Sequence, residues 1–257
     1  MLCTALVPDA KDVRLDPKTN TLSREGVHSI MNPYDQHALE EAVRIKEQLG
    51  QGEVIVVTMG PPQAEEVLRL AISCGADRGV LLSDRAFAGS DTWATAYTLA
   101  KGIEKISSFD LILCGKQAID GDTAQVGPGL AMRFAIPYLT CVQKIREVNA
   151  NTVIAERMMD DGYDVVEVQC PALLTVVKDI NEPRVPSLKG KMKAKKATVS
   201  VLTAADIEAD ADCIGLPGSP TQVVKVFSPE PRGEKCHFTG SLDEQIEQLV
   251  EKLKPYL

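Results

Sequence analysis

The chain has 257 residues, 44% of them hydrophobic and 25% charged, with a formal net charge of −8. That length holds one large domain, or a domain with an appendage, and the acidic balance excludes the basic face that nucleic-acid binding requires. No apolar run approaches the roughly 18 residues of a membrane span, and with aromatics at only 4% the core must be built from Val, Leu, Ile and Ala.

Met1–Val7 reads as a first strand; it is too short, and too soon followed by Pro8-Asp9, for a signal peptide. Val54–Val57, Gly79–Leu82 and Leu111–Cys114 are short continuous apolar runs, as expected for strands covered on both faces of a parallel sheet. Helical stripes separate them. Ala38, Ala42, Ile45 and Leu49 form the first, opened by Asn32-Pro33 and closed by Gly50. Ala64, Val67, Leu68 and Ala71 form the second, and Trp93, Ala96, Leu99, Ala100 and Ile103 the third. This alternation predicts an α/β fold: a doubly wound, mostly parallel, Rossmann-like sheet.

From Cys141 the texture changes. Cys141–Val148, Val153–Met159 and Asp164–Val168 are extended segments, and Asp160-Asp161-Gly162 signals an antiparallel hairpin between the last two. Pro171–Val177 is a further strand. Residues 181–190 contain two prolines and no period, so they form an irregular arm that runs into the basic cluster Lys191–Lys196. Near the end, Ser241-Leu-Asp-Glu244 is a capping box that opens a helix striped by Leu242, Ile246, Leu249, Val250 and Leu253. The expected division is an α/β domain over 1–190, with the arm at 181–192, and an extended C-terminal segment and helix over 191–257. Seven cysteines without a CxxC pair suit reduced thiols in a cytosol-like compartment. With three histidines, none within helical reach of a cysteine, no metal site is expected.

In an open parallel sheet, ligands bind beyond the carboxyl ends of the strands. The richest such end is Gly115–Pro128. Gly121, Thr123, Ala124 and Gly127 are small enough for close backbone approach, and the following helix would aim free N–H groups at an anion. Thr123 and Gln125 add neutral donors, while Asp120 and Asp122 suit ribose hydroxyls or backbone capping. As a plain polar turn, the loop would have Asp122 as the helix N-cap. No GxxxxGK[ST], GxGxxG or GxSxG motif is present, which disfavours a P-loop NTPase, an ordinary Rossmann dehydrogenase and a serine hydrolase. A stress-protein-type nucleotide regulator and an adenine-nucleotide hydrolase or ligase lack their glycine-rich phosphate motifs here.

Several ordered pieces together resemble the electron-transfer flavoprotein β (small) subunit family. They are Val7-Pro8-Asp9, Gly26-Val27 through Met31-Asn32-Pro33, Cys74-Gly-Ala-Asp-Arg78, Gly115-Lys-Gln-Ala-Ile-Asp-Gly-Asp122 with Gln125, Pro171-Ala-Leu-Leu-Thr175, Asn181-Glu-Pro-Arg184 and Met192-Lys-Ala-Lys-Lys196. Ala155–Val176 resembles the family's acidic-glycine signature, with Tyr163-Asp164 in place of the usual pair, and Ala5 stands where a lysine is common. The resemblance implies a heterodimer with a flavin-holding α subunit, on which the C-terminal helix packs. It also implies a bound FAD or, alternatively, AMP, and a partner dehydrogenase of the acyl-CoA dehydrogenase type. The implied location is cytoplasmic or, alternatively, the mitochondrial matrix.

Carried over, the nucleotide contacts are Cys3, Asn32, Pro33, Tyr34, Asp35, Met59, Ala118, Ile119, Asp120, Gly121, Asp122, Thr123, Ala124, Gln125, Val126, Gly127, Pro128 and Gly129. No catalytic residue is assigned. The run Leu81–Thr95 resembles members that carry a second flavin and bifurcate electrons from NADH. There Ala86, Ala88 and Gly89 would admit a flat ring, and Asp91, Thr92 and Thr95 would offer polar contacts; the alternative is that Asp91 only caps the third helix and Ser83–Gly89 is a surface loop. Leu188, with Lys189 and Met192, matches the family's partner-docking loop.

Overall fold

In the computed structural model the described residues are 30–222, 224 and 236–256, together with the strand backbone at 2–3, 6–8, 14–15, 22–23 and 29. In chain order the elements are β1 (Leu2–Cys3), β2 (Leu6–Pro8), β3 (Arg14–Leu15), β4 (Leu22–Ser23), β5 (Ser29–Met31), α1 (Pro33–Leu49), β6 (Ile55–Met59), α2 (Glu65–Ser73), β7 (Arg78–Leu82), α3 (Thr92–Ile106), β8 (Leu111–Gly115) and α4 (Val126–Phe134). There follow β9 (Tyr138–Val148), β10 (Thr152–Met159), β11 (Gly162–Gln169), β12 (Ala172–Val176), α5 (Leu188–Lys196), β13 (Ser200–Leu202) and α6 (Leu242–Leu253).

Nine of the described strands form one sheet in the order β11-β10-β9-β12-β8-β1-β6-β7-β13, while β2 pairs with β5 and β3 with β4. Every pairing from β9 to β13 is parallel, and β10 and β11 add an antiparallel meander at one edge. Side-chain alternation along the central strands builds two core layers. Val56, Leu81, Leu113 and Leu174 meet the buried faces of α1 and α2. Their neighbours Val57, Val80, Leu82, Ile112 and Leu173 meet α3 and α4. Each such side chain, fully buried, contributes about 1.5–3 kcal/mol, so each face of the sheet must carry its helices. The sheet is doubly wound.

Three details differ from the sequence reading. The first strand breaks: β1 lies in the large sheet between β8 and β6, whereas β2 pairs antiparallel with β5. The arm is irregular only as far as Ser187, whose hydroxyl accepts from Gly190 N–H at 3.0 Å and caps α5. The lysine cluster is therefore helical. Gly190 lets α5 lie on α2, since a Cβ there would sit 2.0 Å from the Ser73 carbonyl oxygen. The boundary expected at 190/191 falls inside α5, and β13 beyond it pairs with β7, so the α/β unit continues past it. No helix among the described residues is long and apolar enough to cross a membrane.

Candidate functional site

The carboxyl end of β8 meets the start of α1 through one closely fitted contact. Asp35, 4% exposed, accepts the Gly115 N–H at 2.8 Å through Oδ1. A Cβ on residue 115 would lie 2.6 Å from that oxygen and 2.7 Å from the Tyr34 carbonyl carbon, so only glycine fits. Asn32, 1% exposed, occupies the N-cap position of α1, but its side chain makes no cap bond. It reaches across the strand ends instead. Nδ2 donates to Asp35 Oδ2 (3.0 Å) and to the Gln117 carbonyl (2.9 Å), while Oδ1 accepts from Ile119 N–H (3.2 Å). A buried carboxamide used on three sides fixes the loop after β8 to α1.

That loop is strained. Asp122 and Ala124 both adopt positive φ, 53° and 55°, a conformation that costs a residue with a Cβ roughly 1–2 kcal/mol. Asp122 N–H donates to the Ala118 carbonyl at 2.9 Å, and Gln117 Nε2 donates to the Asp122 carboxylate. Asp122 is thus not the N-cap of α4. Gln125 holds that position and makes no side-chain cap bond, which leaves the first turn of α4 facing the cleft as an anion-attracting end. The Gln125 side chain is held sideways, its Oε1 accepting from Thr92 Oγ1 at 2.8 Å. Asn32, Asp35, Met59, Thr95, Lys116 and Gln125 are among the residues lining this cleft, and Lys116 is the single cation among the described lining residues. The described lining offers backbone amides, the carboxamides of Asn32, Gln117 and Gln125, the hydroxyls of Thr95 and Thr123, the Cys114 thiol and one lysine, with the Asp35 carboxylate already engaged by Gly115 N–H and Asn32. Such a set is suited to receiving an anionic group.

The two loop glycines do different work. A Cβ at Gly127 would meet the Thr175 methyl at 2.6 Å, whereas one at Gly121 would meet nothing within 4 Å. Thr175 cannot easily turn away, because its Oγ1 accepts from Cys141 N–H at 3.2 Å. Gly127→Val is expected to push α4 off β12 and lower the melting temperature by several degrees, for an overpacking cost of about 1–3 kcal/mol. Gly121→Ala should melt within a degree of the parent. Thermal melts of the two variants side by side check this.

The remaining expected positions fall as follows. Cys3 lies on β1, beside Cys114 and Val57 of the neighbouring strands, and its side chain is outside the described residues, as are Asp9, Gly26 and Val27. Pro33 and Tyr34 begin α1, and the Tyr34 ring faces Lys178 Nζ at 4.8 Å. Ala118, Ile119, Asp120 and Thr123 belong to the strained loop, and Val126, Pro128 and Gly129 to the first turn of α4. From α3, Thr95 lines the cleft and Thr92 reaches it through its bond to Gln125. Asp91 is turned from it: burial opposes its charge, but bonds from Ala94, Thr221 and Trp93 outweigh this and keep its carboxyl below the usual range.

Ala86, Ala88 and Gly89 are exposed, but the loop that carries them is covered on one side. A Cβ on Gly215 would strike the Ala86 carbonyl oxygen at 2.2 Å, and one on Gly89 would strike Leu216 at 2.6 Å, so a turn of the C-terminal segment packs against this loop. The sequence reading missed that turn because its glycines and prolines carry no period. Leu188 (78% exposed) and Met192 (55%) stand out from α5 with Lys189, while Arg184 anchors the arm behind them on Glu40 and Glu47 of α1.

With this geometry in place, comparison with known proteins is specific. The electron transfer flavoprotein domain matches residues 19–207. The chain is 52% identical over 248 residues to the electron transfer flavoprotein subunit beta of Thermoanaerobacterium thermosaccharolyticum, covering 96% of this chain and 94% of the relative. It is 49% identical over 255 residues to the caffeyl-CoA reductase-Etf complex subunit CarD of Acetobacterium woodii, covering 99% and 97%. To the protein FixA of Bradyrhizobium diazoefficiens it is 44% identical over 261 residues, covering 98% and 90%. The chain belongs to the electron transfer flavoprotein family, as a β subunit.

Proposed function

We propose that this β subunit pairs with an electron-transfer flavoprotein α subunit and holds FAD in the cleft between β8, α1 and α4, with AMP as the alternative occupant. The observation that carries this reading is the buried Asn32 side chain, bonded on three sides to Asp35 and the loop after β8. It holds the strained loop and the uncapped start of α4 at the carboxyl edge of the sheet, where a phosphate would be received. Asn32 and Asp35 frame the floor, the amides of Gln125–Gly127 with Lys116 face the phosphates, and Met59 and Thr95 border the adenosine side. When bound, FAD supplies the capacity to take up two electrons and release them one at a time.

Electron bifurcation from NADH is part of the proposal. It is supported by the Leu81–Thr95 run and by the resemblance to a subunit named for a reductase-Etf complex. The work would take place in the cytoplasm. Nucleotide released from the purified heterodimer tests the reading. Two flavins and no AMP support it, one flavin with one AMP leaves the cleft assigned but ends bifurcation, and one flavin alone overturns both.

The arm is the docking surface for a partner dehydrogenase of the acyl-CoA dehydrogenase type in this reading, and the exposed stripe of α6 (Leu242, Ile246, Leu249, Val250 and Leu253) is the seat on the α subunit. Leu188→Ala removes a side chain that is 78% exposed, so it should change stability by under about 0.5 kcal/mol while slowing electron delivery to the dehydrogenase. A large drop in melting temperature would contradict the docking role.

A further inference from the structure

Residues 203–221 run along the carboxyl end of β7 and are tied there repeatedly. Ala204 N–H donates to Asp84 Oδ2 (3.1 Å), Gly215 N–H to Ser90 Oγ (3.0 Å), and Asp91 N–H to Ser219 Oγ (2.8 Å). Ser219 is 7% exposed, and its hydroxyl donates to the Gly215 carbonyl at 2.6 Å. The strap is therefore shaped around the loop that opens α3.

The Asp91 carboxylate closes the arrangement with its two oxygens divided between two tasks. Oδ1 accepts from Trp93 N–H (2.9 Å) and Ala94 N–H (3.1 Å) and so starts α3. Oδ2 accepts from Thr221 N–H (3.0 Å) and Thr221 Oγ1 (2.8 Å) and so holds the strap. The next residue, Thr92, is the one whose hydroxyl grips Gln125 at the start of α4. A continuous chain of short bonds thus runs from Thr221 through Asp91 and Thr92 to the wall of the cleft.

We propose that Asp91 is a positioning residue for the nucleotide cleft: by holding the strap with one oxygen and α3 with the other, it fixes Thr92 and hence Gln125 at the mouth of α4. This rests on the reading of the cleft as a nucleotide site. Asp91 acts only through its neighbours, because both of its oxygens are engaged by the strap and the helix turn.

The test separates the two oxygens. Asp91→Asn keeps an acceptor for the helix cap, where Asn and Asp serve equally well, but turns an amide donor toward the donors of Thr221. Thr221→Val deletes the hydroxyl, and Thr221→Ser retains it. The variants are made in the intact heterodimer, stripped of nucleotide and titrated with AMP and with FAD by equilibrium dialysis. Asp91→Asn is expected to bind about tenfold more weakly, within the usual range of coupling between sites. Thr221→Val should show a smaller loss and Thr221→Ser none, with nucleotide-free melting temperatures within two degrees of the parent. Unchanged affinity in Asp91→Asn, or a loss accompanied by a collapse in melting temperature, overturns the proposal. If the parent heterodimer binds neither nucleotide in this subunit, the cleft reading fails on its own. The clamp is then judged by deuterium uptake of residues 92–98 in ligand-free protein, where faster uptake in Asp91→Asn than in Thr221→Ser sustains it and equal uptake ends it.

Discussion

Gly115→Ala is expected to destabilise the protein and release its nucleotide together. The added methyl carbon would lie 2.6 Å from both Asp35 Oδ1 and Tyr34 Cβ and 2.7 Å from the Tyr34 carbonyl carbon. Two of those atoms belong to or adjoin the backbone of α1, so the helix start must shift rather than a side chain swing aside. The shift costs about 1–3 kcal/mol as overpacking and breaks the 2.8 Å bond from Gly115 N–H to Asp35, a charge-assisted bond worth about 1.5–3 kcal/mol. A combined loss near 3 kcal/mol lowers the melting temperature of a domain this size by roughly 6–12 °C. Asn32 moves with Asp35, so the loop after β8 loses its anchor. Thermal melting and nucleotide content of the purified heterodimer check both effects, and an alanine variant that melts with the parent and keeps its nucleotide would contradict them.

Arg184→Met should have a comparable effect on stability, with a distinctive dependence on pH. Arg184 Nε donates to Glu40 Oε2 at 2.7 Å, its Nη1 donates to Glu47 Oε1 at 2.7 Å, and its own N–H adds a third bond to Glu40 at 3.1 Å. The Glu40 side chain is 4% exposed, and its other cation is Arg44 at 2.6 Å. Removing Arg184 leaves a buried carboxylate with half its compensation, at a cost of about 2–4 kcal/mol.

Burial resists the charge on Glu40, but the bonds from Arg184 and Arg44 outweigh it and hold the carboxyl below its ordinary value of 4.5. A carboxyl lowered on folding stabilises the native state fully above that ordinary value and loses this contribution as pH falls through the folded value. The difference in urea midpoint between parent and variant should therefore be large at pH 7 and shrink well below pH 4.5. A gap that is constant with pH would contradict the pairing. At pH 7 the variant should also deliver electrons more slowly, because the arm bearing Leu188 has lost its tether to α1.

The parallel sheet was legible because its strands are short apolar runs. Val54–Val57 and Leu111–Cys114 read as buried on both faces, and they are, except for the half-buried Leu111 at the start of β8. The meander was legible from the turn Asp160-Asp161-Gly162, which joins β10 to β11 in register, with Met159 opposite Gly162. The helix α5 was not legible, because Pro183, Pro186 and Gly190 suggest irregular chain. Its start is set by the Ser187 cap and by a close approach to the Ser73 carbonyl that appears only in three dimensions. The strap over residues 83–91 was hidden for the same reason: Gly215 and Gly218 mark close backbone contacts, not a period.

At the site, the sequence pointed to the loop after β8 and to Asn32 but read the roles of individual residues loosely. Asn32 takes the N-cap position expected of it, but its side-chain bonds go to Asp35 and to backbone far along the chain. Asp91 looked available to a ligand, and it holds α3 and Thr221. In both cases a short polar side chain has several partners within reach, and the tertiary fold decides among them.

The assignment of the nucleotide to the carboxyl edge has a direct rival within the same molecule. A second hollow lies at the opposite, amino-terminal edge of the sheet, bordered by Ile45, Leu49, Val54, Phe109, Leu111 and Val148. Deuterium exchange of the heterodimer, stripped of nucleotide and then reloaded, separates the two. On reloading, protection should rise in residues 30–36, 58–60 and 115–130 and stay constant in 45–54, 107–111 and 148–153. Protection gained at the amino-terminal edge, with none around Asn32 and Gly127, would contradict the account.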